Sequence, residues 1–190
     1  MKIVFTWWTY VWKTTILNLL ENNWFNVFEE KAGENMFFLM NLLWEFKYRN
    51  WREKNFLEFQ KMNIVSTLKR DLLLDTKWIN ILDRWVFDFI ASLKRENIDI
   101  PDYLEELVSN IDYDYIFFFE EIDKHDMRSF TWRMLDKEKS RLWAKFIYEE
   151  YKNRFWENKI IKIPFFDKQN IEENIKVRYQ FVLEKIKKLS

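Results

Sequence analysis

The side chains best suited to bind a metal ion lie in one acidic stretch of the sequence. They are Asp112, Asp114, Glu120, Glu121, Asp123, His125 and Asp126. Oxygen ligands of this kind suit Mg²⁺ or Ca²⁺, but the spacing is not that of an EF-hand and the central glycine of that loop is missing. A di-iron site needs two Glu-x-x-His motifs, and the chain has a single histidine. We therefore predict no metal site, and interpret the stretch as a solvated acidic loop or a docking surface for a basic partner.

Residues for nucleophilic catalysis are scarce. One histidine and no cysteine exclude the commonest pairs of nucleophile and base. A pattern like that of restriction nucleases exists at Asp136 and at Glu157-Asn158-Lys159, but a periodic helix is predicted between its two parts. The single glycine excludes glycine-rich phosphate loops and dinucleotide fingerprints. We predict that the protein is not an enzyme and uses no cofactor.

Basic and aromatic side chains share one face of a helix predicted over residues 137–156. At 100° per residue, the cations fall within a sector of about 80°. The members of this basic-aromatic stripe are Lys137, Arg141, Lys145, Tyr148, Lys152, Phe155, Trp156 and, if the helix continues, Lys159. Cations on phosphates and rings on unpaired bases are typical contacts with RNA. The alternatives are an ordinary solvated helix face, or a face docked on the acidic stretch.

A second candidate for RNA contact lies within residues 44–56. Its cations are Lys47, Arg49 and Arg52, which alternate with aromatic residues, and Lys54 follows them. Glu45 and Glu53 dilute the positive charge of the segment. Cation–π packing inside the protein explains this pattern about as well as RNA does.

The net charge of zero conceals a strong segregation along the chain. Residues 1–43 carry −1, residues 44–95 carry +4, residues 96–126 carry −10 and residues 127–190 carry +7. Segments of opposite charge often fold together and cancel in space. The neutral total also counts against extensive RNA contact, because RNA-binding domains usually carry a basic surplus.

Helical periodicity dominates the pattern of apolar residues. Helices are predicted over residues 14–30, 34–48, 52–74, 75–93, 101–108, 137–156 and 170–189. The segments 2–12, 111–119 and 159–166 are rich in β-branched or aromatic residues and are the candidates for strands, with Pro164 restricting the last to a sheet edge. We predict a mainly α fold, an irregular multi-helix bundle with at most a small accessory β-sheet, in one domain over residues 1–190.

No stretch reaches the roughly 18 apolar residues that a membrane span needs, so we predict no span. The first twenty residues lack a small-residue cleavage site and are not a Ser-rich and Arg-rich transit peptide. This suits a protein that is made in the compartment where it works.

The composition indicates a gene rich in A and T. Residues with A/T-rich codons are abundant, glycine occurs once, and yet there are 11 tryptophans, whose standard codon contains two G's. Reading UGA as tryptophan removes the conflict, although selection of tryptophan for packing is the alternative. Stretches such as 22–28 (NNWFNVF) and 111–119 (IDYDYIFFF) resemble mitochondrially encoded proteins of ciliates, in composition only.

The resemblance implies a protein encoded and retained in a mitochondrion. We accordingly predict a non-catalytic structural subunit of a mitochondrial ribosome, within a large assembly of rRNA and neighbouring protein subunits. The first alternative is a peripheral accessory subunit of a respiratory-chain membrane complex. The second is a helical interaction factor of a virus or an A/T-rich bacterium, for which the location would be a bacterial cytoplasm rather than the mitochondrial matrix.

Overall fold

The computed structural model describes residues 1–7, 13–120, 137–166 and 170–189. Five strands run through it: β1 (Lys2–Trp7), β2 (Asn26–Phe28), β3 (Asn80–Asp83), β4 (Tyr115–Phe119) and β5 (Ile160–Ile163). They form one parallel sheet in the order β2-β3-β1-β4-β5. Because parallel neighbours need crossover connections, helices cover such a sheet on both faces.

The helices of the described residues follow the strands in alternation. They are α1 (Lys13–Glu21), α2 (Lys31–Leu43), α3 (Glu45–Lys54), α4 (Phe56–Asp71), α5 (Val86–Arg95), α6 (Asp102–Ser109), α7 (Lys137–Arg154) and α8 (Ile171–Leu189). A short 3-10 turn, Glu157–Lys159, precedes β5. None of the helices in the described ranges combines the length and the apolarity that crossing a bilayer requires.

The predicted mainly α bundle is wrong, because the centre of the protein is a parallel β-sheet. β1, β4 and β5 lie inside the three segments proposed as strands, and Pro164 follows β5 at the sheet edge as expected. β2 and β3 lie inside segments whose periodicity predicts helices, and they have only three and four residues. Strands covered on both faces form short apolar runs without period-2 alternation, which a sequence pattern does not separate from helix.

The core is centred on β1, which pairs with β3 on one side and β4 on the other. Val4 lies opposite both Leu82 and Ile116 in this register, and Val4 itself is fully buried. The Phe5 ring stacks on Phe117 with 5.3 Å between ring centroids. Each such fully buried apolar side chain stabilises the fold by about 1.5–3 kcal/mol, so the central strand is firmly anchored.

The connections of the sheet change direction beside β1. The connection that leaves β1 runs through α1 to β2, whereas the one that leaves β3 runs through α5 and α6 the opposite way, to β4. Right-handed crossovers place these connections on opposite faces. In agreement, α1 packs with α8, while α5 packs with α4 and α7. A crevice therefore opens between the carboxyl ends of β1 and β3, where open α/β sheets bind their ligands.

The far end of the sheet is closed by a buried arginine of α8. Arg178 is inaccessible to solvent, and its guanidinium donates to the carbonyl oxygens of Glu120 at 2.7 Å, Pro164 at 2.9 Å and Ile163 at 3.3 Å. Burial lowers the pKa of Arg178 to about 10, partly opposed by the charge of Glu120. The side chain therefore remains a cation at neutral pH and ties α8 to the carboxyl ends of β4 and β5.

Candidate active site

The crevice between β1 and β3 contains a buried ion pair. Lys13 is the first residue of α1 and Asp83 is the last residue of β3, and their charged groups are in contact. The two side chains are 7 % and 10 % exposed. A cation at a helix N-terminus opposes the helix dipole, so the Asp83 carboxylate is what makes a buried lysine tolerable at this position.

Two glutamates follow β2 on the same side of the sheet. The Glu30 carboxylate accepts a hydrogen bond of 3.2 Å from Arg84, the residue directly after β3. Arg70, near the end of α4, donates to the carbonyl oxygen of Glu29 at 2.5 Å. Arg84 thus holds the chain that leaves β2 against the chain that leaves β3, and Arg70 holds it against α4.

Arg70 is itself held between two aromatic rings. Its guanidinium carbon lies 5.5 Å from the centroid of Phe28 and 5.6 Å from that of Trp85, within the range of cation–π attraction. Burial lowers the pKa of Arg70, while the charges of Glu34 and Glu29 raise it in opposition. The arginine therefore fixes the backbone at Glu29 from a partly desolvated position.

These elements enclose a pocket of about 170 Å³. Its lining residues are Thr14, Leu17, Asn18, Val27, Glu29, Glu30 and Asp83. The pocket therefore combines a hydroxyl at a helix N-terminus, the apolar residues Leu17 and Val27, and three acidic residues that are not grouped closely enough to form a metal site by themselves. Hydroxyl and carboxylate oxygens are ligands that suit Mg²⁺, which is usually held by one or two carboxylates together with the phosphates of a substrate.

The position of Lys13 and Thr14 matches the end of a phosphate-loop pattern. In G-x-x-x-x-G-K-[ST], the lysine reaches the β- and γ-phosphates, the hydroxyl binds Mg²⁺, and the motif joins a strand to a helix. Here Lys13-Thr14 opens α1 directly after β1, but Trp7 and Trp12 occupy the positions of the two glycines. The single glycine led us to exclude a phosphate loop, but the Lys-Thr end of the pattern is present. A predicted strand followed by Lys-Thr and a predicted helix is the sequence signal that could have revealed it.

The residues predicted to contact RNA do not form a continuous surface. Phe155 is buried, where it stacks on Tyr113 at 5.5 Å, and Tyr148 packs edge-on against Phe118 at 5.1 Å. The Lys159 ammonium is bound to Asp112 at 2.6 Å. Phe155 and Tyr148 of the stripe therefore pack against other rings of the protein, and the charge of Lys159 is neutralised by Asp112 of the acidic stretch.

The remaining members of the stripe are spread over the outside of α7. Lys145, Lys152 and Trp156 are exposed, and so is Arg141, which nonetheless has an interaction partner within the protein. Lys137 begins α7, and its side chain lies outside the described part. Arg141, Lys145, Lys152 and Trp156 are not among the residues that line the pocket described above.

The second basic segment lies mainly on α3, also away from the pocket. Lys47 and Arg49 are exposed, although Arg49 has a partner within the protein. Arg52 stacks over Phe59 at 5.3 Å and Phe56 at 5.9 Å. Arg52 thus takes part in cation–π packing inside the protein, which is the alternative to RNA contact stated above.

The acidic stretch is only partly within the described residues. Asp112 pairs with Lys159, and Asp114 accepts a hydrogen bond of 2.7 Å from the backbone N–H of Lys2. Glu121, Asp123, His125 and Asp126 lie outside the described residues, as does Asp136 of the nuclease-like pattern. In the described ranges, no three acidic or histidine side chains are grouped as a metal site would require.

The fold is that of nucleoside and nucleotide kinases, a parallel five-stranded sheet flanked by helices. A deoxyadenosine kinase from M. mycoides, with dCMP and dCDP bound, is 17 % identical over all of both chains with a TM-score of 0.68. A thymidylate kinase from Ehrlichia chaffeensis is 19 % identical over 98 % of both chains with a TM-score of 0.56. No family model and no curated protein matches the sequence.

A third similar structure is longer than this chain. The NadR protein in complex with NR is 12 % identical, with a TM-score of 0.64, over 99 % of this chain and 49 % of its own length. At these identities the similarities define the fold.

The shared fold overturns the predicted role. A non-catalytic ribosomal subunit with rRNA and neighbouring ribosomal proteins as partners is wrong, because the similar structures are kinases of nucleosides and nucleotides. The prediction that the chain is not an enzyme is contradicted by the same finding. Helical periodicity places the basic and aromatic residues on one face but does not show that Phe155 is buried and that Tyr148 packs on Phe118.

Proposed function

We propose that this protein is a nucleoside kinase, which transfers the terminal phosphoryl group of a nucleoside triphosphate to a hydroxyl of a nucleoside. One observation carries the proposal. Thr14 at the start of α1, Asp83 at the end of β3, Glu29 and Glu30 line one pocket. The adjacent cations Lys13 and Arg84 pair with Asp83 and Glu30. Phosphoryl transfer depends on this kind of positioning and charge stabilisation.

Lys13 and Thr14 are the residues that would face the donor triphosphate. In the position of the phosphate-loop lysine, the ammonium of Lys13 neutralises charge on the β- and γ-phosphates. Its present partner, Asp83, would then be released to the pocket. The hydroxyl of Thr14 and the carboxylate of Asp83 are the oxygen donors that would hold Mg²⁺, which would neutralise charge that develops on the phosphates in the transition state.

A carboxylate beside the pocket has to accept the proton of the acceptor hydroxyl. The oxygen of that hydroxyl bonds to the γ-phosphorus as the bond from phosphorus to the leaving diphosphate breaks, and the proton passes to the carboxylate. Glu29 and Glu30 both line the pocket. Glu30 is oriented by Arg84, so it is our first choice, and Glu29 is the second.

The charges of the pocket favour a neutral acceptor over a phosphorylated one. The charged residues that line it are Glu29, Glu30 and Asp83. The adjacent cations, Lys13 and Arg84, are paired with Asp83 and Glu30. A nucleoside monophosphate would bring about two negative charges to this acidic lining, whereas a nucleoside brings none. This supports a nucleoside as the acceptor.

The two tryptophans at the glycine positions distinguish this chain from the usual phosphate loop. Glycines permit the close approach of backbone N–H groups to the phosphates. With Trp7 and Trp12 there, we expect weaker binding of the donor than a glycine-containing loop gives, so assays need donor concentrations in the millimolar range.

The proposal is tested by supplying a nucleoside triphosphate with Mg²⁺ and offering two sets of acceptors separately. One set contains the common ribo- and deoxyribonucleosides, and the other contains their monophosphates. We expect formation of a monophosphate from at least one nucleoside, with no diphosphate formed from the second set. Diphosphate formation alone would replace the proposal with a nucleoside monophosphate kinase, and neither product would refute it.

We also propose that the gene is read with UGA as tryptophan, in a mitochondrion or, alternatively, in a bacterial cytoplasm. The proposal is supported by the 11 tryptophans in an otherwise A/T-biased composition. The coding sequence tests it directly, because in-frame UGA codons at the tryptophan positions are expected. Tryptophans encoded only by UGG would contradict it.

A further inference from the structure

A fully buried carboxylate lies at the start of α5, shortly after Asp83 and Arg84, and is not used by the chemistry proposed above. Asp88 is in the first turn of α5 and is 1 % exposed. Its Oδ1 accepts a hydrogen bond of 2.6 Å from the hydroxyl of Thr6. Its Oδ2 accepts one of 2.6 Å from the hydroxyl of Tyr151 and one of 3.3 Å from the backbone N–H of Trp85.

The three donors belong to three different parts of the chain, two of which border the crevice. Thr6 is next to the last residue of β1, which leads to Lys13. Trp85 directly follows Asp83 and Arg84, and Tyr151 lies on α7. The backbone N–H of Arg84 also donates to the carbonyl oxygen of Phe5 at 3.0 Å, so the end of β1 and the turn after β3 are joined twice.

Burying a carboxylate costs stability unless hydrogen bonds or opposite charges compensate for the lost contact with water. Burial raises the pKa of Asp88, and the hydrogen bonds from Thr6 and Tyr151, with the charges of Arg84 and Lys13, oppose that rise. An apolar residue would avoid the cost of burying a polar group. The charges of Lys13 and Arg84 therefore act on this carboxylate, and its hydrogen bonds join it to the segments that lead to those two residues.

We infer that Asp88, with Thr6 and Tyr151, is a positioning cluster that holds the end of β1 and the β3–α5 turn at the separation required for phosphoryl transfer. The inference rests on the proposed function. Misplacing a reacting group by about 1 Å costs on the order of 10²-fold in rate, and loss of one hydrogen bond in the cluster allows a smaller shift. We therefore expect a fall in kcat of about tenfold or more, with the KM of the acceptor changed by less than about threefold.

The fold supplies a matched control for one member of the cluster. Tyr151 and Tyr113 are both fully buried, and both pack edge-on against Phe87, at 5.9 Å and 5.7 Å. Only the Tyr151 hydroxyl donates to Asp88. Tyr151→Phe and Tyr113→Phe thus remove the same atom from two buried rings that pack on the same phenylalanine, and only Tyr151→Phe removes a hydrogen bond to Asp88.

The test compares kcat and KM of Tyr151→Phe and Tyr113→Phe below the unfolding temperature of both. We expect the fall in kcat for Tyr151→Phe alone, whereas Tyr113→Phe stays within about twofold of the unmodified chain. Thr6→Val should behave as Tyr151→Phe does, and Thr6→Ser, which keeps the hydroxyl, should restore the rate. Equal losses for both tyrosine variants, or no rescue by serine, would overturn the inference.

A second measurement separates this inference from the proposed function. Hydrogen–deuterium exchange at the backbone amides of Arg84 and Trp85 should be faster in Tyr151→Phe than in Tyr113→Phe, whatever the reaction catalysed. Unchanged exchange in both variants would overturn the positioning role. Faster exchange in Tyr151→Phe, together with no kinase activity in the unmodified chain, would refute the kinase proposal and leave the role of the cluster in place.

Discussion

Lys13, the first residue of α1, forms a buried ion pair with Asp83, the last residue of β3. The pair joins the two chain segments that leave the sheet in opposite directions. It thus lies at the switch point of an open parallel sheet, where ligands bind. A donor phosphate that approached this point would compete with Asp83 for the lysine.

Replacing one member of this pair should affect stability and activity together. Lys13→Met leaves the Asp83 carboxylate buried without its cation, which costs about 3–5 kcal/mol. The double variant Lys13→Met with Asp83→Asn should recover most of that loss, because no unpaired charge remains, yet it should stay inactive. Urea unfolding and a phosphoryl-transfer assay on the same samples check this. Recovery of activity in the double variant would show that the lysine does not act on the donor.

Replacing each glutamate after β2 by glutamine distinguishes the roles of Glu29 and Glu30. If Glu30 accepts the proton, Glu30→Gln should lower kcat by about 10²-fold or more, since general-base catalysis contributes about 10²–10⁴. Glu29→Gln should leave kcat within about threefold. Both changes preserve side-chain shape, and steady-state kinetics with a saturating donor distinguishes them. The opposite ranking would assign the role to Glu29.

Alkaline unfolding should depend on two buried tyrosines. Burial raises the pKa of Tyr113 and Tyr151 well above 10, with the charges of Asp71 and Asp88 adding to the rise at Tyr113. Since the unfolded chain releases these protons at about pH 10 and the folded chain retains them, the free energy of unfolding falls as the pH rises above about 10.

Phenylalanine at both tyrosine positions removes the two hydroxyl protons that the unfolded chain releases at high pH. We expect the decline in stability between about pH 9 and 11 to be shallower in the Tyr113→Phe, Tyr151→Phe double variant. Denaturant unfolding at a series of pH values measures it. Parallel curves for the two proteins would contradict the assignment.

The buried Arg178 should contribute to stability through three backbone carbonyls. Arg178→Met leaves the oxygens of Glu120 and Pro164 without this donor, whereas the oxygen of Ile163 still accepts from the backbone N–H of Glu120. Since each unsatisfied buried group costs about 1–3 kcal/mol, we expect a loss of at least about 2 kcal/mol in urea unfolding. Lys185→Met, also on α8 but packed on the half-buried Phe181 ring, is the control and should cost less than about 1 kcal/mol. Similar losses for the two variants would exclude a specific role for Arg178.

The sequence predicts much of the secondary structure but not the architecture. α6, α7 and α8 begin and end within two residues of their predicted bounds, because each has a long amphipathic repeat or a proline at its start. Asn170 also caps α8 as expected, through a bond of 2.8 Å from the N–H of Glu173. β2 and β3 are too short for their sequence pattern to be distinguished from that of a helix. Without these two strands, the sequence does not predict a parallel sheet.

The candidate site was missed for a different reason. Its residues are far apart in sequence, and only the sheet order brings Lys13, Glu30 and Asp83 together. The one local signal, Lys13-Thr14 after a strand, was masked by the tryptophans at the glycine positions. The basic-aromatic stripe looked functional because periodicity does not show which rings are buried, as Phe155 is.

The most direct test of the kinase proposal is transfer of a labelled γ-phosphoryl group to a nucleoside. Purified protein is incubated with γ-labelled ATP, Mg²⁺ and each nucleoside in turn, with the Lys13→Met and Asp83→Asn double variant as the matched control. We predict a labelled nucleoside monophosphate with the unmodified chain, and at least about 10²-fold less with the control. Equal labelling by the two proteins, or none by either, would contradict the proposal.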